Sequence, residues 1–384
     1  MKIASLRTTI VSVPTVRPCA WSRGTGVGFT RTILELETDR GLVGLGECEG
    51  ASAAELIRSR LARKLNGVAV DDLDAARQIC HIGFADYGSL SDKVTAKAFA
   101  AIEMAMLDAA GKAHGLPVYR LLGGATRPQA RFGAYGYTFH LPTAGLREQD
   151  VPAAMARFAA DAIARTGAAI FEFKVGRFSP ETDIETIREV RRAVGPSVAL
   201  GVDANQAYEM DRARRVMRAV ADCHLDWFEE PVESFDDLAS LRARFDVPLS
   251  SHCCDLEKLR YYPAIDGVVG DLHLHGGMTG LPRLAAGTRA LGRRFWQRAC
   301  LELGISWAAM VHVGVACPDL TRESQALIDW VEDDLTLGPT WLLRDGGVIP
   351  PEKPGLGVEL DRDALAKYAE RYCQVGEQTY FELE

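Results

Sequence analysis

Polar side chains recur in the second half of the chain at the points where short apolar segments end. These residues are Lys174, Asp203 with Asn205, Glu229, His252, Asp271 and Arg298. Successive positions are between 19 and 29 residues apart, about the length of one strand plus one helix. If the apolar segments are the parallel strands of one barrel, their carboxyl ends meet at one mouth. The spacing therefore predicts that these side chains converge on one site.

Three of these positions carry side chains that suit a divalent metal site. Asp203, Glu229 and His252 follow three consecutive predicted strands. Two carboxylates and an imidazole can bind a cation and leave positions for water or substrate. Strand-end capping and loop salt bridges are the alternative, and a lone histidine can also be structural. The pair Cys253-Cys254 would suit a softer ion such as zinc, but paired carboxylates favour a hard ion such as Mg²⁺.

Lys174 is a candidate general base. Side chains alternate along a strand, so Glu172 and Lys174 face the same way and would both point into the barrel. A lysine at the mouth can accept a proton when its neutral form is favoured. A nearby cation favours the neutral amine, whereas the Glu172 carboxylate favours the ammonium. The alternative is a Glu172–Lys174 ion pair with a structural purpose.

Two histidines alternate with other residues directly after Asp271. His273 and His275 could supply a second acid–base group or further metal ligands, and a polar strand end that contacts the next loop is an equally good interpretation. His312 lies in an apolar stretch, which favours a hydrogen-bonded core histidine.

The elements that must position these residues alternate between strand and helix beyond about residue 130. The predicted strands are 131–137, 168–174, 198–203, 226–230, 247–251, 267–271, 293–297 and a weaker one near 307–312. Amphipathic helices are predicted between them, among others at 180–194, 211–222 and 235–245. Eight such units favour a TIM-type (β/α) barrel. A doubly wound open sheet is the alternative, but no GxGxxG motif follows an early strand.

The first part of the chain indicates a separate α+β domain. A β-meander is predicted in residues 1–50, with strands at 30–37 and 42–47, and helices are predicted at 52–66, 70–82 and 96–114. The Pro- and Gly-rich tail has a predicted helix at 362–372 and is expected to return to the first domain. We therefore predict an α+β capping domain (1–125), a barrel (126–340) and a returning C-terminal segment (341–384).

Composition narrows the class of partner. The 384 residues are 47% hydrophobic and 25% charged, with a net charge of −8, which gives no basic surface for nucleic acid. A metal could still supply the positive charge that attracts an anionic substrate. The sequence contains no apolar run long enough for a membrane span, and its start lacks the apolar core of a signal peptide. Nine scattered cysteines without a CxxC motif predict reduced thiols and a cytoplasmic protein.

Motifs along almost the whole chain resemble the enolase superfamily, in the branch of mandelate racemase, muconate lactonizing enzyme and glucarate dehydratase. Segments 101–113 and 121–124 resemble the helix that leads into that family's barrel. Val202-Asp203-Ala204-Asn205 and Glu229-Glu230-Pro231 resemble its first two metal-ligand motifs, and 171–176 resembles its Lys-x-Lys strand. Segments 304–313 and 351–361 resemble the glucarate dehydratase group, in which an Asn stands at the position of His252.

The resemblance implies a Mg²⁺-dependent dehydratase acting on a small-molecule carboxylate, an acid sugar. Mg²⁺ would grip the substrate carboxylate, Lys174 would take the α-proton, and loss of the β-hydroxyl would give a 2-keto-3-deoxy acid. We predict that Asp271 and Arg298 join Lys174 in the catalytic set, and that Glu172, Asn205, His273 and His275 contact the substrate. A homo-oligomer is the family expectation.

Two residues depart from the family pattern. Glu172 stands where the family has the first Lys, and it reverses the charge beside the base. Arg298 stands where the dehydratase has a catalytic His paired with the aspartate that Asp271 matches. An arginine stays protonated and cannot shuttle protons, although it could bind a distal carboxylate. Racemisation, epimerisation or cycloisomerisation of another carboxylate is the alternative activity, and a non-catalytic metal- or ligand-binding homologue is the alternative class.

The segment 21–29 is predicted to close over the substrate. Its glycines at 24, 26 and 28 suit a mobile lid.

Overall fold

The structure, a computed structural model, describes residues 1–80, 90–337 and 342–379. The last two residues of the helix predicted at 70–82 and the predicted boundary between residues 340 and 341 lie outside this range. The boundary predicted after residue 125 stays a prediction.

The chain begins with a three-stranded antiparallel sheet in the order β1-β2-β3. Its strands are β1 (Ile3–Trp21), β2 (Gly24–Thr38) and β3 (Val43–Glu49), which confirms the predicted meander. Helices follow as α1 (Ser52–Leu56), a π-helical turn (Ile57–Leu61), α2 (Ala62–Leu65), α3 (Leu73–Cys80), α4 (Leu90–His114) and α5 (Val118–Leu121). Gly44 and Gly46 let α4 approach β3 closely, because a Cβ at either position would overlap the Ala105 or Ala101 carbonyl.

A nearly closed barrel of eight parallel strands follows, as predicted. The strands are β4 (Ala130–Gly136), β5 (Ile170–Lys174), β6 (Ala199–Asp203), β7 (Trp227–Glu229), β8 (Leu249–Ser251), β9 (Ile265–Gly270), β10 (Arg294–Gln297) and β11 (Ser324–Gln325). β11 pairs with β4, whereas the β10–β11 seam is bridged through side chains: Gln297 N donates to Ser324 Oγ (3.2 Å) and Ala299 N donates to Gln325 Oε1 (3.2 Å).

Helices flank the barrel between its strands. They are α6 (Leu141–Ala144), α7 (Val151–Thr166), α8 (Pro180–Val194), α9 (Met210–Ala219), α10 (Phe235–Arg242), α11 (Leu256–Tyr261), α12 (Gly277–Ala290) and α13 (Gly304–Ala316). Short 3-10 helices span Glu148–Asp150, Ala221–Cys223 and Ile328–Trp330.

The eighth strand predicted near 307–312 is wrong. These residues form the middle of α13, and the eighth strand is the two-residue β11. Every residue of α13 is buried, so its sequence is apolar on all sides and lacks the one-sided period of a surface helix. His312 within it is a buried, hydrogen-bonded core histidine, as predicted: Tyr119 N donates to Nδ1 (3.2 Å), and Nε2 lies 3.1 Å from Leu356 O.

The C-terminal segment lies against the first sheet. It contains β12 (Thr336–Leu337), β13 (Gly347–Val348), β14 (Glu359–Leu360) and α14 (Arg362–Val375). Thr30 N donates to Gln378 O (3.1 Å) and Ser12 Oγ donates to Gly376 O (3.0 Å), so the chain end is attached to β1 and β2.

Two sequence expectations about the chain as a whole can be compared with the described residues. None of the described helices combines the length and the apolar character needed to cross a membrane. None of the nine cysteines forms a disulfide.

Candidate active site

A cavity of about 650 Å³ opens at the carboxyl ends of the barrel strands. Six of the sequence-predicted site residues line it: Lys174, Asp203, Asn205, Glu229, His252 and Arg298. Trp21, Tyr135, Tyr137, Ala299, Gln325 and Leu327 complete the wall. The barrel thus brings together side chains that are far apart in sequence because each one ends a parallel strand.

Asp203, Glu229 and His252 form a cluster that could hold a cation. One ligand atom from each lies within 4.8 Å of the others. Glu229 is fully buried, and neither of its carboxylate oxygens accepts a hydrogen bond of good geometry from the described residues, although His252 Nε2 lies 2.9 Å from Oε1. Buried carboxylate oxygens need a compensating partner. The donor set therefore fits a hard divalent cation such as Mg²⁺.

Neighbouring groups orient the three candidate ligands. Asn205 donates to both oxygens of Asp203, from its backbone N to Oδ1 (2.8 Å) and from Nδ2 to Oδ2 (3.0 Å). Glu230 accepts hydrogen bonds from His252 N (2.9 Å) and Ser251 Oγ (2.8 Å), and so fixes the segment that carries the histidine. The sequence signalled Glu230 only as part of the Glu-Glu-Pro motif, and it is a supporting residue rather than a ligand.

The electrostatics of the cluster favour added positive charge. Burial raises the pKa of Glu229, and the nearby Asp203 carboxylate raises it further. Burial lowers the pKa of His252, but the Glu229 carboxylate outweighs this effect and raises it to about 9. The cluster thus retains a proton on its imidazole when no cation balances the carboxylates.

Lys174 points into the cavity beside this cluster. Its Nζ lies 2.5 Å from Asp203 Oδ2 and stands over the rings of Trp21 and Tyr135, at 5.5 and 5.6 Å from their centroids. The side chain is 11% exposed. Lys174 therefore pairs with Asp203, and the alternative ion pair with Glu172 is not formed.

Glu172 lies below the cavity and does not line it. The side chain is buried and accepts hydrogen bonds from Gln325 Nε2 (2.7 Å) and Arg322 Nη2 (3.3 Å). Burial raises the pKa of Glu172, and the Glu229 carboxylate contributes in the same direction, whereas the Arg322 guanidinium opposes the rise and favours the ionised carboxylate.

Arg298 lines the cavity, whereas Asp271, which pairs with it, does not. Arg298 Nη1 lies 3.2 Å from Asp271 Oδ2, and Asp271 also accepts a hydrogen bond from His273 N (2.7 Å). Burial raises the pKa of Asp271, but Arg298 and the neighbouring histidines outweigh burial and hold this pKa well below the usual range. The pair is thus a persistent carboxylate–guanidinium contact.

The two histidines predicted to contact substrate do not line the cavity. His273 is buried, its Nε2 lies 2.8 Å from Ser306 Oγ, and burial lowers its pKa to about 4. His275 Nδ1 accepts a hydrogen bond from Asp271 N (2.8 Å), and burial lowers its pKa as well. Like Glu172, they are placed behind the wall.

Sequence reasoning missed five residues of the wall: the apolar Ala299 and Leu327, and the polar Gln325, Tyr135 and Tyr137. Gln325 ends the eighth strand, which was predicted elsewhere, so its position at a strand end was hidden. Tyr135 and Tyr137 belong to the first strand and the residue just beyond it, and they are buried with pKa values raised well above the usual range by burial. The alternation of Tyr135 and Tyr137 was the available signal.

The segment 21–29 lies over the mouth, at the tip of the β1–β2 hairpin. Ser22 Oγ donates to Ala204 O (3.0 Å), Arg23 Nε donates to Asn205 O (2.9 Å), and Arg177 Nη1 donates to Trp21 O (2.8 Å). The first domain thus covers the loop that carries Asn205, and Trp21 forms part of the cavity wall.

Comparisons with known proteins agree with this geometry. Residues 5–123 match the model of the mandelate racemase / muconate lactonizing enzyme N-terminal domain, and residues 154–364 match the enolase C-terminal domain-like model. A probable glucarate dehydratase of Streptomyces coelicolor is 33% identical over 88% of this chain and 84% of its own length. A chloromuconate cycloisomerase of Cupriavidus necator is 29% identical over 96% of this chain and 99% of its own length.

The fold is also shared with solved structures. An enolase of Thermobispora bispora, crystallised with magnesium and formate, superposes with a TM-score of 0.88 at 29% identity, covering 99% of this chain and 96% of that one. The family models together span most of the chain, and the polar residues at the strand ends occupy one cavity. The chain therefore belongs to the enolase superfamily, in the family of mandelate racemase and muconate lactonizing enzyme.

Proposed function

We propose that the protein is a Mg²⁺-dependent dehydratase of an acid sugar. It would remove the proton α to a substrate carboxylate and then eliminate the β-hydroxyl. The observation that carries the proposal is the position of Lys174, whose amine lies in the cavity directly beside the Asp203–Glu229–His252 cluster. The amine of Lys174 and the metal site both contact the Asp203 carboxylate and so lie side by side. This arrangement suits removal of a proton from the carbon next to a substrate carboxylate that the metal would bind.

Asp203, Glu229 and His252 would hold the ion, and Asn205 and Glu230 would keep the ligands in place. When bound, Mg²⁺ would supply the positive charge that stabilises the doubly charged carboxylate formed on loss of the α-proton. Lys174 Nζ would take that proton, and the ammonium formed could return it to a β-hydroxyl that leaves on the same face. Arg298, with its charge held by Asp271, would donate hydrogen bonds to a distal polar group of the substrate.

The cavity offers one evident base, which favours reactions that need one. Racemisation ordinarily requires bases on both faces of the substrate. Apart from Lys174 and the candidate metal ligands, the ionisable residues of the described wall are Arg298, Tyr135 and Tyr137. None of them is a base at neutral pH, because arginine stays protonated and burial raises the pKa of both tyrosines. His273 and His275, which could have provided a second base, do not line the cavity. Cycloisomerisation, also a reaction with one base, is the second candidate because of the cycloisomerase relative.

A substrate screen tests the proposal. The purified protein with Mg²⁺ would be incubated with a library of mono- and dicarboxylic acid sugars, and 2-keto acid formation would be measured. The same library in D₂O, followed by NMR, would detect α-proton exchange without elimination. Formation of a 2-keto acid that requires both Mg²⁺ and Lys174 supports dehydration.

An unsaturated dicarboxylate would be added to the library as a probe, and its conversion into an isomeric lactone, with no loss of water, would favour cycloisomerisation instead. The proposal fails if the Mg²⁺-loaded protein neither exchanges α-protons nor eliminates water from any member of the library. A binding role would then be the better interpretation.

A further inference from the structure

The two departures from the family pattern, Glu172 and Arg298, lie at the two ends of one chain of contacts. The chain runs from the barrel interior to the cavity wall through the side chain of Gln325 and the backbone of Ala299. Glu172 does not line the cavity, so contact with the substrate does not explain why a glutamate occupies position 172.

Glu172 is held rigidly at the inner end. Its carboxylate is 2% exposed, and one oxygen is 3.3 Å from Arg322 Nη2. The Arg322 guanidinium is in turn stacked between two indoles, with its Cζ at 2.9 Å from the ring centroid of Trp227 and 4.1 Å from that of Trp296. The ion pair and the two indole rings fix Arg322, and Arg322 in turn fixes the Glu172 carboxylate.

Gln325 connects this anchor to the wall, and both ends of its amide are used. Nε2 donates to Glu172 Oε1 (2.7 Å), and Oε1 accepts from Ala299 N (3.2 Å). The bond to the carboxylate fixes which way the amide points, because only the NH₂ group can donate. A lysine at position 172 would present a donor to the Gln325 NH₂ group and a cation to Arg322, whereas a carboxylate accepts from both.

The outer end of the chain is the peptide that precedes Ala299, and its other residue is Arg298. Because β10 and β11 share no backbone ladder at this seam, the Gln325 amide takes the place of a strand pair at the point where Arg298 leaves the barrel. The Arg298 side chain is 27% exposed and faces the cavity from this point.

We propose that Glu172 is a positioning residue: through Gln325 it fixes the Ala299 backbone and thereby aims the Arg298 guanidinium into the cavity. The inference rests on the proposed function only for what Arg298 contacts; the positioning itself is a property of the fold. The proposal gives Glu172 and Arg298 one physical cause. Arg298 follows the seventh strand, β10, and the loop that carries it is held by a hydrogen-bond acceptor in the barrel interior.

Three variants test the positioning, each studied as a crystal structure of the full chain with Mg²⁺. Gln325→Met keeps the volume and removes both hydrogen bonds, and it leaves the Glu172–Arg322 pair intact. Glu172→Met removes the anchor. Glu172→Gln keeps an acceptor oxygen without the charge. We expect Arg298 to move by about 1 Å or more in both methionine variants, a shift that costs on the order of 10²-fold in rate in a functional site.

In Glu172→Gln we expect Arg298 to keep its wild-type position, because the new amide oxygen still accepts from Gln325 Nε2. Melting temperature serves as a second readout, with Gln374→Met on the exposed face of α14 as the matched control. A merely structural role would lower the melting temperature and leave Arg298 where it is.

An unmoved Arg298 in Gln325→Met overturns the proposal, and this variant remains informative even if Glu172→Met does not fold. Displacement in Gln325→Met without displacement in Glu172→Met removes Glu172 from the mechanism. If Arg298 moves as far in Glu172→Gln as in Glu172→Met, the charge of Glu172 rather than its hydrogen bond to Gln325 holds Arg298. That result also overturns the proposal. None of these readouts needs turnover, so failure of the dehydratase proposal would leave them interpretable.

Discussion

At the residue scale, Lys174 and the candidate metal site share the carboxylate of Asp203. Lys174 Nζ lies 2.5 Å from Asp203 Oδ2, and Asp203 is one of the three clustered ligands. A cation at this cluster would compete with the ammonium for the same negative charge. Metal binding and release of the amine for proton transfer are therefore expected to be coupled.

Replacing Lys174 by Met is expected to remove turnover of any substrate found in the screen. A positioned general base contributes about 10²–10⁴-fold to rate, so kcat should fall by at least that range. Steady-state assays and α-proton exchange in D₂O measure the effect. Lys258→Met, which removes an exposed lysine of α11, is the matched control. Full activity in Lys174→Met would contradict the assignment of the base.

Replacing Glu229 by Gln is expected to weaken Mg²⁺ binding strongly. The variant replaces a buried anionic ligand by a neutral amide, and hard divalent cations prefer carboxylate oxygens. Calorimetric titration with Mg²⁺ measures the dissociation constant, which should rise by 10-fold or more, on the order of the loss seen for changes at metal sites. Glu257→Gln on the exposed face of α11 should bind like the wild type. Equal affinity in both variants would place the ion elsewhere.

At the element scale, a buried ion pair of the first domain shapes a loop of the barrel. Arg31 on β2 is fully buried and donates from Nη2 to Cys300 O and to Leu301 O (2.8 Å). Glu47 on β3 accepts from Leu303 N and Ser306 N, both at 2.9 Å, at the start of α13. The loop after β10 is thus held by the capping sheet as well as by Gln325.

Breaking this pair is expected to be costly. Arg31→Met leaves the buried Glu47 carboxylate without its cation, 3.5 Å away in the intact protein, and such losses amount to about 3–5 kcal/mol of unfolding free energy. Urea denaturation measures the change. The control is Arg215→Met, since Arg215 also pairs with a glutamate, Glu181, but the two side chains are 59% and 60% exposed, and exposed pairs contribute about 1 kcal/mol or less. Similar losses in both variants would contradict the role of burial.

At the scale of the whole molecule, His312 joins three parts of the chain. It lies in α13 of the barrel, accepts from Tyr119 N in α5 and contacts Leu356 O in the C-terminal segment. Burial lowers its pKa to about 4, so the folded protein keeps this imidazole neutral at pH values where the unfolded chain, with a pKa of about 6.5, binds a proton.

The free energy of unfolding is therefore expected to fall as the pH decreases from about 6.5 to about 4. Below the unfolded pKa the unfolded state binds more protons, and one such histidine contributes up to about 1.4 kcal/mol per pH unit. His312→Gln removes this contribution and should flatten the slope, apart from any constant loss of stability. Urea denaturation at several pH values measures it, with His114→Gln at the exposed end of α4 as control. Identical slopes in the wild type and His312→Gln would contradict the prediction.

The sequence by itself determined the barrel, the capping sheet and most of the cavity. Short apolar segments that each end in a polar residue require parallel strands with one shared mouth, and seven of the eight predicted strands lie within about two residues of the observed ones. The Asp203, Glu229, His252 cluster and the proximity of Lys174 follow from that alternation. The cytoplasmic location and the homo-oligomeric state stay predictions.

Only the tertiary structure decided which side of the wall each polar residue occupies. Strand alternation predicts that Glu172 faces inward. It does not predict that Arg322, 150 residues further along the chain, pairs with Glu172 and draws it away from Lys174. The hydrophobic pattern does not distinguish a buried helix such as α13 from a strand either. Burial on all sides removes the 3.6-residue period by which a helix is recognised. The two-residue β11, which carries Gln325, is too short to give a pattern of its own, and its place is set by pairing with β4 at the closure of the barrel.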